Sequence, residues 1–325
     1  MCGIATIFNI NESIIDQGLI NQMISEIYYR GPDSEGFYRE PYLNMGHNRL
    51  AIVDLTKEAN QPFYWKDRYV LVFNGEIFNY KELKEILKKK GYKFRTNSDT
   101  EVLIASFEEW GENCQTKFNG MWSFVIWDKQ KKYLFASRDR FGIKPLYWIF
   151  RKNTLFISSE IKQLKILGLS KFINKREMGK FLYTGISNFS EETFFEDIYS
   201  LPAGSCMYAL LNKKPEIIKW YSLEDEVNKS HEKTDILEIL IDSISLRMES
   251  DVELGSCLSG GIDSSTIAVI SSKINKENSN SKINFFHGKS IQKNVDESLY
   301  AIYIANYINE NLIITTPTED DFFNN

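Results

Sequence analysis

Apolar and polar positions change period several times along the chain, and each change marks an element. Cys2 to Phe8 is almost continuously apolar or β-branched and predicts a buried strand. Between Asp16 and Tyr29, Leu19, Ile20, Met23, Ile24 and Ile27 recur at helical spacing. Arg30-Gly31-Pro32-Asp33 stops that helix, because glycine suits the left-handed position after a helix and proline cannot continue one. Gly36 to Tyr38, Tyr42 to Ala51 and Asp67 to Phe73 read as strands, the last ending in a polar turn, Asn74-Gly75-Glu76. Two helices follow. Tyr80 to Lys90 turns Leu83, Ile86 and Leu87 inward, and a second opens at Ser98 with Val102, Leu103, Ala105, Phe107 and Trp110 as its apolar content. Ser98 stands three residues before Glu101, which fits a capping box. Hairpins are predicted for Met121 to Trp127 with Tyr133 to Ala136, and for Leu146 to Phe150 with Leu155 to Ser158. A short helix, Glu160 to Leu167, comes next. Sets of strands joined by hairpins and separated by helices predict two antiparallel sheets with helices outside, rather than βαβ units.

The second half reads differently. Phe172 to Thr184 is helical, Gly185 to Glu196 a loop and Cys206 to Leu211 a strand. Ser222 to Lys233 is charged, with Leu223 and Val227 its only large apolar residues, and reads as linker. A helix from Thr234 to Met248 and a strand from Asp251 to Leu258 then lead into Ser259-Gly260-Gly261-Ile262-Asp263-Ser264-Ser265. Thr266 to Ile274 continues as helix, Ile283 to His287 as the next parallel strand, and Asp296 to Asn306 as a further helix. Strand, glycine loop and helix is the arrangement that cradles phosphate on backbone N–H groups. The loop lacks the lysine of a Walker A motif, and a small-residue turn is its plain alternative.

Composition narrows the class. The 325 residues suffice for two domains, and 43% hydrophobic with 26% charged residues is ordinary globular usage. A net charge of −5 argues against a broad nucleic-acid surface. Cys2, Cys114, Cys206 and Cys257 form no CxxC pair and no metal-ligand spacing with His47, His231 and His287, so they read as reduced thiols of a cytosolic protein. The start has no basic n-region of a signal peptide, and no stretch approaches the roughly 20 apolar residues that span a bilayer.

Candidate chemistry starts at Cys2. With Met1 removed, Cys2 carries a thiol and a free α-amine on one carbon, and an amine titrating near ~7.7–8.0 can take the thiol proton. Arg49, inside an apolar run, offers a planar fork for a carboxylate. Asn74 and Gly75 offer a side-chain amide and an unhindered backbone N–H, a usual recipe for an oxyanion hole. Glu76 and Asp99 add two carboxylates. Each also has a plain folding role: a turn for Asn74-Gly75, a helix cap for Asp99, a surface ion pair for Arg49. Together they meet the groups of free glutamine: α-carboxylate, α-ammonium and side-chain amide.

Cys2-Gly3-Ile4, Arg30-Gly31-Pro32-Asp33, His47-Asn48-Arg49-Leu50-Ala51-Ile52-Val53-Asp54, Asn74-Gly75-Glu76-Ile77-Phe78-Asn79-Tyr80 and Ser98-Asp99-Thr100-Glu101 resemble the class II glutamine amidotransferase domain of glutamine-hydrolysing asparagine synthetases. Arg138-Asp139-Arg140-Phe141-Gly142-Ile143-Lys144-Pro145 and Leu201-Pro202-Ala203-Gly204 are similar to the same family. The resemblance implies an α+β N-terminal-nucleophile αββα sandwich over residues 2–213, a linker over 214–233, and the start of an α/β parallel-sheet ATP pyrophosphatase domain over 234–325. It implies that Cys2 attacks the glutamine amide and that Asn74 and Gly75 stabilise the oxyanion. Arg49 would hold the substrate carboxylate, Glu76 and Asp99 its ammonium, and Leu50, Ile52 and Val53 would line the pocket.

Leu258-Ser259-Gly260-Gly261-Ile262-Asp263-Ser264-Ser265 resembles the pyrophosphate loop of N-type ATP pyrophosphatases. By resemblance, Ser259, Gly260, Gly261, Asp263, Ser264 and Ser265 surround pyrophosphate, Leu258 sits by the adenosine, and Asp263 holds Mg²⁺. His287 falls where that family has an apolar residue whose backbone contacts adenine, so only a backbone role is implied for it. The expected ligands are glutamine, ATP with Mg²⁺, and aspartate or another carboxylate acceptor. No organic prosthetic group, nucleic acid or membrane is expected. A cytoplasmic location is expected, and a homodimer is compatible with the resemblance. Relatives of this kind continue past the equivalent of Pro317 with segments that complete the acceptor site. The synthetase part is therefore expected to be incomplete here, with about two parallel strands and an exposed sheet edge.

Overall fold

Alternation in the first nine residues places Ile4, Thr6 and Phe8 on one face of a strand and Ala5 and Ile7 on the other, and both faces are buried. This strand, β1 (Gly3–Asn9), lies inside a six-stranded sheet. The structure, a computed structural model, describes residues 1–187, 190–229, 235–278, 283–292, 294–318 and 320–321. They divide between two compact units, Met1–Ser230 and His231–Asn325.

In the first unit β1 is followed by α1 (Gln17–Ser25), whose first turn is capped by Asp16 accepting from the Gly18 N–H. Then come β2 (Ser34–Glu40), β3 (Leu43–Arg49), β4 (Phe63–Trp65), β5 (Tyr69–Ile77), α2 (Tyr80–Lys89), α3 (Asp99–Trp110), α4 (Cys114–Lys117), β6 (Gly120–Asp128) and β7 (Tyr133–Arg138). After them lie β8 (Tyr147–Arg151), β9 (Thr154–Ser158), α5 (Ile161–Lys165), α6 (Lys175–Thr184), β10 (Tyr199–Ser200), β11 (Ser205–Leu210), β12 (Glu216–Lys219) and α7 (Leu223–Val227). One sheet has the order β10-β8-β9-β1-β3-β2 and the other β12-β11-β7-β6-β5-β4. Neighbouring strands in both are antiparallel.

Three apolar layers hold the sheets in place. Ile4 and Phe8 of β1, Leu43 and Met45 of β3, Val70 and Val72 of β5, and Val125 and Trp127 of β6 pack between the sheets. Outside the first sheet, Ile20, Met23 and Ile24 of α1 and Leu164 of α5 cover Ala5 and Ile7. Outside the second, Leu83 and Leu87 of α2 and Val102 and Leu103 of α3 cover Leu71, Phe73 and Phe124. The order helix, sheet, sheet, helix is the expected αββα sandwich. Each such side chain stabilises the fold by about 1.5–3 kcal/mol on burial. A one-residue slip would turn a whole strand's set to the wrong layer, so burial on both faces fixes the register.

Four expectations change. Asn74, Gly75 and Glu76 do not form a turn: they are the last part of β5, paired with Ser123, Trp122 and Met121 of β6. The capping box at α3 is only half made. Ser98 accepts from the Thr100 N–H, but Glu101 instead accepts from the N–H groups of Arg95 and Thr96 and from the Thr96 hydroxyl. Short strands β10 and β12 escape the hydrophobic pattern because each borders a sheet and buries little surface, and β4, with Phe63 and Trp65 buried, because three residues are too few to show a period. β12 and α7 lie in the stretch expected as linker, whose residues 230–233 are, like Thr234, outside the described residues.

The second unit contains α8 (Ile236–Arg247), β13 (Gly255–Cys257), α9 (Ile262–Asn278), β14 (Asn284–Gly288), α10 (Ser298–Ile308) and β15 (Asn311–Thr315). Its sheet, β13-β14-β15, is parallel throughout and has three strands where two were expected. Leu258, Ala268, Phe285, Ala301, Ala305 and Ile308 form its core. No helix among the described residues is long and apolar enough to cross a membrane.

Candidate active site

The face between the two sheets is apolar along most of its length and polar at one end. On β3 it reads Leu43, Met45, His47, Arg49; on β5 Val70, Val72, Asn74, Glu76; on β6 Trp127, Val125, Ser123, Met121. The polar end is where β1 begins, so Cys2 enters the fold beside it. A cavity of about 400 Å³ opens there, with Cys2, Arg49, Asn74, Gly75, Glu76 and Asp99 all in its wall. Residues separated by up to 97 positions in sequence thus converge because register, not proximity, brings them together.

Cys2 is held from three sides. The Leu50 N–H donates to Cys2 Sγ at 3.4 Å, and Sγ lies 3.6 Å from the Leu50 carbonyl. The Arg30 Nε–H donates to the Cys2 carbonyl at 2.9 Å, while Arg30 Nη1 is paired with Glu160 at 2.9 Å. Burial pushes the thiol pKa up, and the Leu50 N–H pulls it back by stabilising the thiolate. Met1 lies at the cavity, its sulfur accepting from Lys144 Nζ at 3.3 Å.

Gly75 is placed by backbone alternation. Its β6 partner Trp122 sends both its N–H and its carbonyl to Asp139, so Gly75 and Trp122 are not joined by ladder bonds. On the same edge of β5, the Phe73 N–H donates to Gln61 Oε1 at 2.6 Å and the Ile77 N–H to Asp99 Oδ2 at 3.0 Å. The Gly75 N–H, between them, faces the same way, toward a cavity walled by Gln61 and Asp99. Only glycine fits: an added Cβ would lie 2.2 Å from the Met121 carbonyl oxygen. Asn74 is buried beside it, and neither polar atom of its amide has a hydrogen-bond partner.

The two acids differ. Burial raises the Asp99 pKa to about 6, against hydrogen bonds from Ile77, Thr100 and Ser98 that favour its carboxylate, and the charge of Glu76 adds to the rise. Burial also raises the Glu76 pKa, while the Lys144 ammonium lowers it. Lys144 is itself buried, its pKa lowered by desolvation.

Arg49 differs from its expected form. Its guanidinium donates to the Thr56 carbonyl and to Asn60 Oδ1, both at 2.7 Å, to the Val53 carbonyl at 3.5 Å, and to the Asp54 carbonyl. The fork braces the loop after β3, and the same loop supplies Leu50, Ile52 and Val53 to the cavity wall.

In the second unit, β13 runs into the glycine loop and α9. Gly260 has φ +88, and a Cβ there would lie 2.4 Å from Tyr300 Cβ and 2.8 Å from the Ala301 nitrogen, so the loop needs glycine. Ser259 Oγ lies 3.0 Å from Ser264 Oγ, and the buried Ser265 hydroxyl oxygen has no partner. Asp263, Ser264 and Ser265 belong to the first turn of α9, whose leading N–H groups lack intrahelical acceptors. Leu258 is buried under the loop. His287 is buried as well, with Nδ1 2.8 Å from the Leu258 carbonyl and Nε2 3.1 Å from Ser298 Oγ. Its side chain ties β14 to the loop entry and to α10.

Residues 1–221 match the family described as glutamine amidotransferase domain. The chain belongs to the glutamine amidotransferase family. Residues 235–325 match the family described as asparagine synthase. Asparagine synthetase [glutamine-hydrolyzing] 1 of Bacillus subtilis is 35% identical over 286 residues, covering 83% of this chain and 44% of its own length. Putative asparagine synthetase [glutamine-hydrolyzing] 2 of Methanocaldococcus jannaschii is 36% identical over 294 residues, covering 82% and 56%. Amidase chry2 of Gibberella zeae is 32% identical over 297 residues, covering 85% and 44%. The chain spans about half the length of these curated relatives. The solved structure of glutamine phosphoribosylpyrophosphate amidotransferase from B. subtilis, complexed with ADP and GMP, shares the fold at TM-score 0.52 and 12% identity. That match covers 96% of this chain and 81% of the other.

For an amidotransferase chain, the sequence pattern underrates three residues at or behind the cavity. Arg30 sits in a string that reads as a helix stop, yet it holds the Cys2 backbone from behind the cavity wall. Gln61 fixes β5 through the Phe73 N–H. Lys144 follows a tight turn held by Asp139, which accepts from the N–H groups of Phe141, Ile143 and Lys144. The signal for each is a long polar side chain next to proline or glycine, which hydrophobic periodicity does not register.

Proposed function

We propose that the chain is the glutamine-hydrolysing part of an asparagine-synthetase-type enzyme, with Cys2 as nucleophile. The observation that carries this is one cavity walled by a thiol, an amide, an unpaired strand N–H, two acids and an arginine. Removal of Met1 leaves the α-amine on Cys2. The amine takes the thiol proton as Sγ bonds to the glutamine amide carbon, and the carbonyl becomes an oxyanion facing Asn74 Nδ2 and the Gly75 N–H. Collapse breaks the C–N bond, the ammonium proton leaves with ammonia, and water then cleaves the thioester to glutamate. Asp99 and Glu76 bind the substrate ammonium, and Arg49 reaches its carboxylate with the Nε–H that the loop carbonyls leave free.

In the second unit the glycine loop fits pyrophosphate, and Asp263 beside it would repel a polyphosphate unless a cation stood between them. Asp263, an exposed carboxylate in the first turn of α9, would hold a Mg²⁺ arriving with ATP, and that cation would neutralise phosphate charge during adenylate formation. The reaction activates a carboxylate as acyl-AMP with loss of pyrophosphate, and ammonia displaces AMP to give the amide. Aspartate is the acceptor in this reading, and the cytoplasm its setting.

The test is glutamate release from glutamine by the processed chain and by Cys2→Ala. Loss of release in the variant supports the reading, and unchanged release rejects it. Pyrophosphate release with a panel of carboxylic acids then reads the acceptor.

A further inference from the structure

Asn74 can donate to an oxyanion only if its amide turns Nδ2, and not Oδ1, toward the reacting carbonyl. A free amide would favour neither orientation. Something must hold Oδ1, and it must be a donor.

The inter-sheet face that carries Asn74 also carries Arg49, whose amino groups donate to loop acceptors, Glu76, a carboxylate, and Thr6 of β1, which has no register with β5. Of the other polar side chains there, His47 contacts the Phe73 carbonyl and Ser123 pairs in register with Asn74 itself. His47 is fully buried, and its Nε2 lies 3.1 Å from the Phe73 carbonyl, an acceptor, so Nε2 carries the ring proton. Its Nδ1 is then a lone pair without a partner. A lone pair can attract only the amide NH₂, which is the wrong orientation. Ser123 stands directly opposite Asn74 in the β5–β6 register. Opposed residues on antiparallel strands project to the same face, with Cβ atoms about 4.5–5.5 Å apart. That separation suits a hydroxyl-to-amide hydrogen bond. Ser123 is wholly buried and its hydroxyl oxygen has no partner, as neither atom of the Asn74 amide has. A buried hydroxyl left unpaired costs stability and brings no packing that alanine would not bring.

We infer that Ser123 is a positioning residue for glutamine hydrolysis: its hydroxyl, unpartnered in the free chain, donates to Asn74 Oδ1 as the oxyanion forms and so turns Nδ2 toward it. The inference rests on the reading of Asn74 as an oxyanion donor. Ser123 is not in the wall of the cavity that holds Cys2, so its effect runs through Asn74.

The test is a double-mutant cycle on the full processed chain, with glutamate release at saturating and limiting glutamine. Asn74→Ala should lower kcat by about 10²–10³-fold. Ser123→Ala should lower kcat roughly tenfold with KM for glutamine unchanged, the scale of one neutral hydrogen bond. Its Tm should stay level or rise. In the Asn74→Ala background, Ser123→Ala should add nothing. Wild-type kcat in Ser123→Ala overturns the inference, as does a tenfold loss that persists without Asn74. If Asn74→Ala itself leaves kcat unchanged, the oxyanion reading is what has failed.

Discussion

The Leu50 N–H donates to Cys2 Sγ at 3.4 Å, and the Leu50 carbonyl lies 3.6 Å from the same sulfur. One residue can therefore accept from the thiol and donate to the thiolate, without side-chain movement. The remaining requirement is a base, and the α-amine of Cys2 exists only after Met1 is removed. A retained N-terminal extension should lower glutamine hydrolysis by about 10²–10⁴-fold, the range of a lost general base. Glutamate release from tagged and processed chain, with the N-terminus read by mass spectrometry, checks this. Full activity with the extension in place would remove the amine from the mechanism.

Asp99 predicts a pH limb. Its pKa is raised from 3.8 to about 6 by burial, so near that pH it loses the charge that would bind an ammonium. KM for glutamine should rise as pH falls through about 6, and Asp99→Asn should show a high KM with that limb absent. The sign for stability is opposite. A raised acid pKa means that the folded chain prefers the protonated form, so this stabilisation is complete below about 3.8 and is lost as pH rises through about 6. The difference is about 3 kcal/mol at most. Asp99→Asn should therefore have a higher Tm than the parent at pH 7.5 and a similar one at pH 4. A higher KM without a higher Tm would mean that the neutral amide breaks the bonds from Ile77 and Ser98.

Gly75→Ala should damage the site through the backbone. The new Cβ would lie 2.2 Å from the Met121 carbonyl oxygen and 2.7 Å from Trp122 Cα, both parts of β6 that cannot rotate away. β5 must shift, and with it the Gly75 N–H and the Asn74 amide. A kcat loss of about 10²–10³-fold is expected, with a lower Tm. Tm and kcat measured on one preparation check it, and an active, equally stable variant would show that the strands separate freely.

The sandwich was readable from sequence because each central strand buries both faces, which leaves long apolar runs such as Ile4 to Phe8 and Val70 to Phe73. The site was readable as residue types, but not as geometry. Asn74-Gly75-Glu76 has turn composition, and only the pairing with Met121, Trp122 and Ser123 makes it strand. Its glycine serves a close strand approach, not a reversal. Glu101 has the spacing of a capping partner and is drawn off by the N–H groups of Arg95 and Thr96. Arg30 and Lys144 carry no periodic signal, since what buries them is the convergence of distant turns.

Arg49 braces a loop, and substitution can separate that role from the substrate contact proposed for it. It donates to the carbonyls of Val53, Asp54 and Thr56 and to Asn60 Oδ1, which fixes the loop carrying Leu50 beside the thiol. Asp54, at φ +56 and accepting from the N–H groups of Thr56 and Asn97, holds the far side of the same loop. A lysine at position 49 keeps the charge but has one ammonium for these acceptors, and each buried carbonyl left unpaired costs about 1–3 kcal/mol. Arg49→Lys should raise KM for glutamine and also speed amide hydrogen exchange over residues 50–56. With Leu50 loosened, kcat should fall too. Kinetics and exchange measured together decide the matter. A raised KM with unchanged exchange and kcat would make Arg49 a ligand contact only, and faster exchange with unchanged KM would make it a loop brace only.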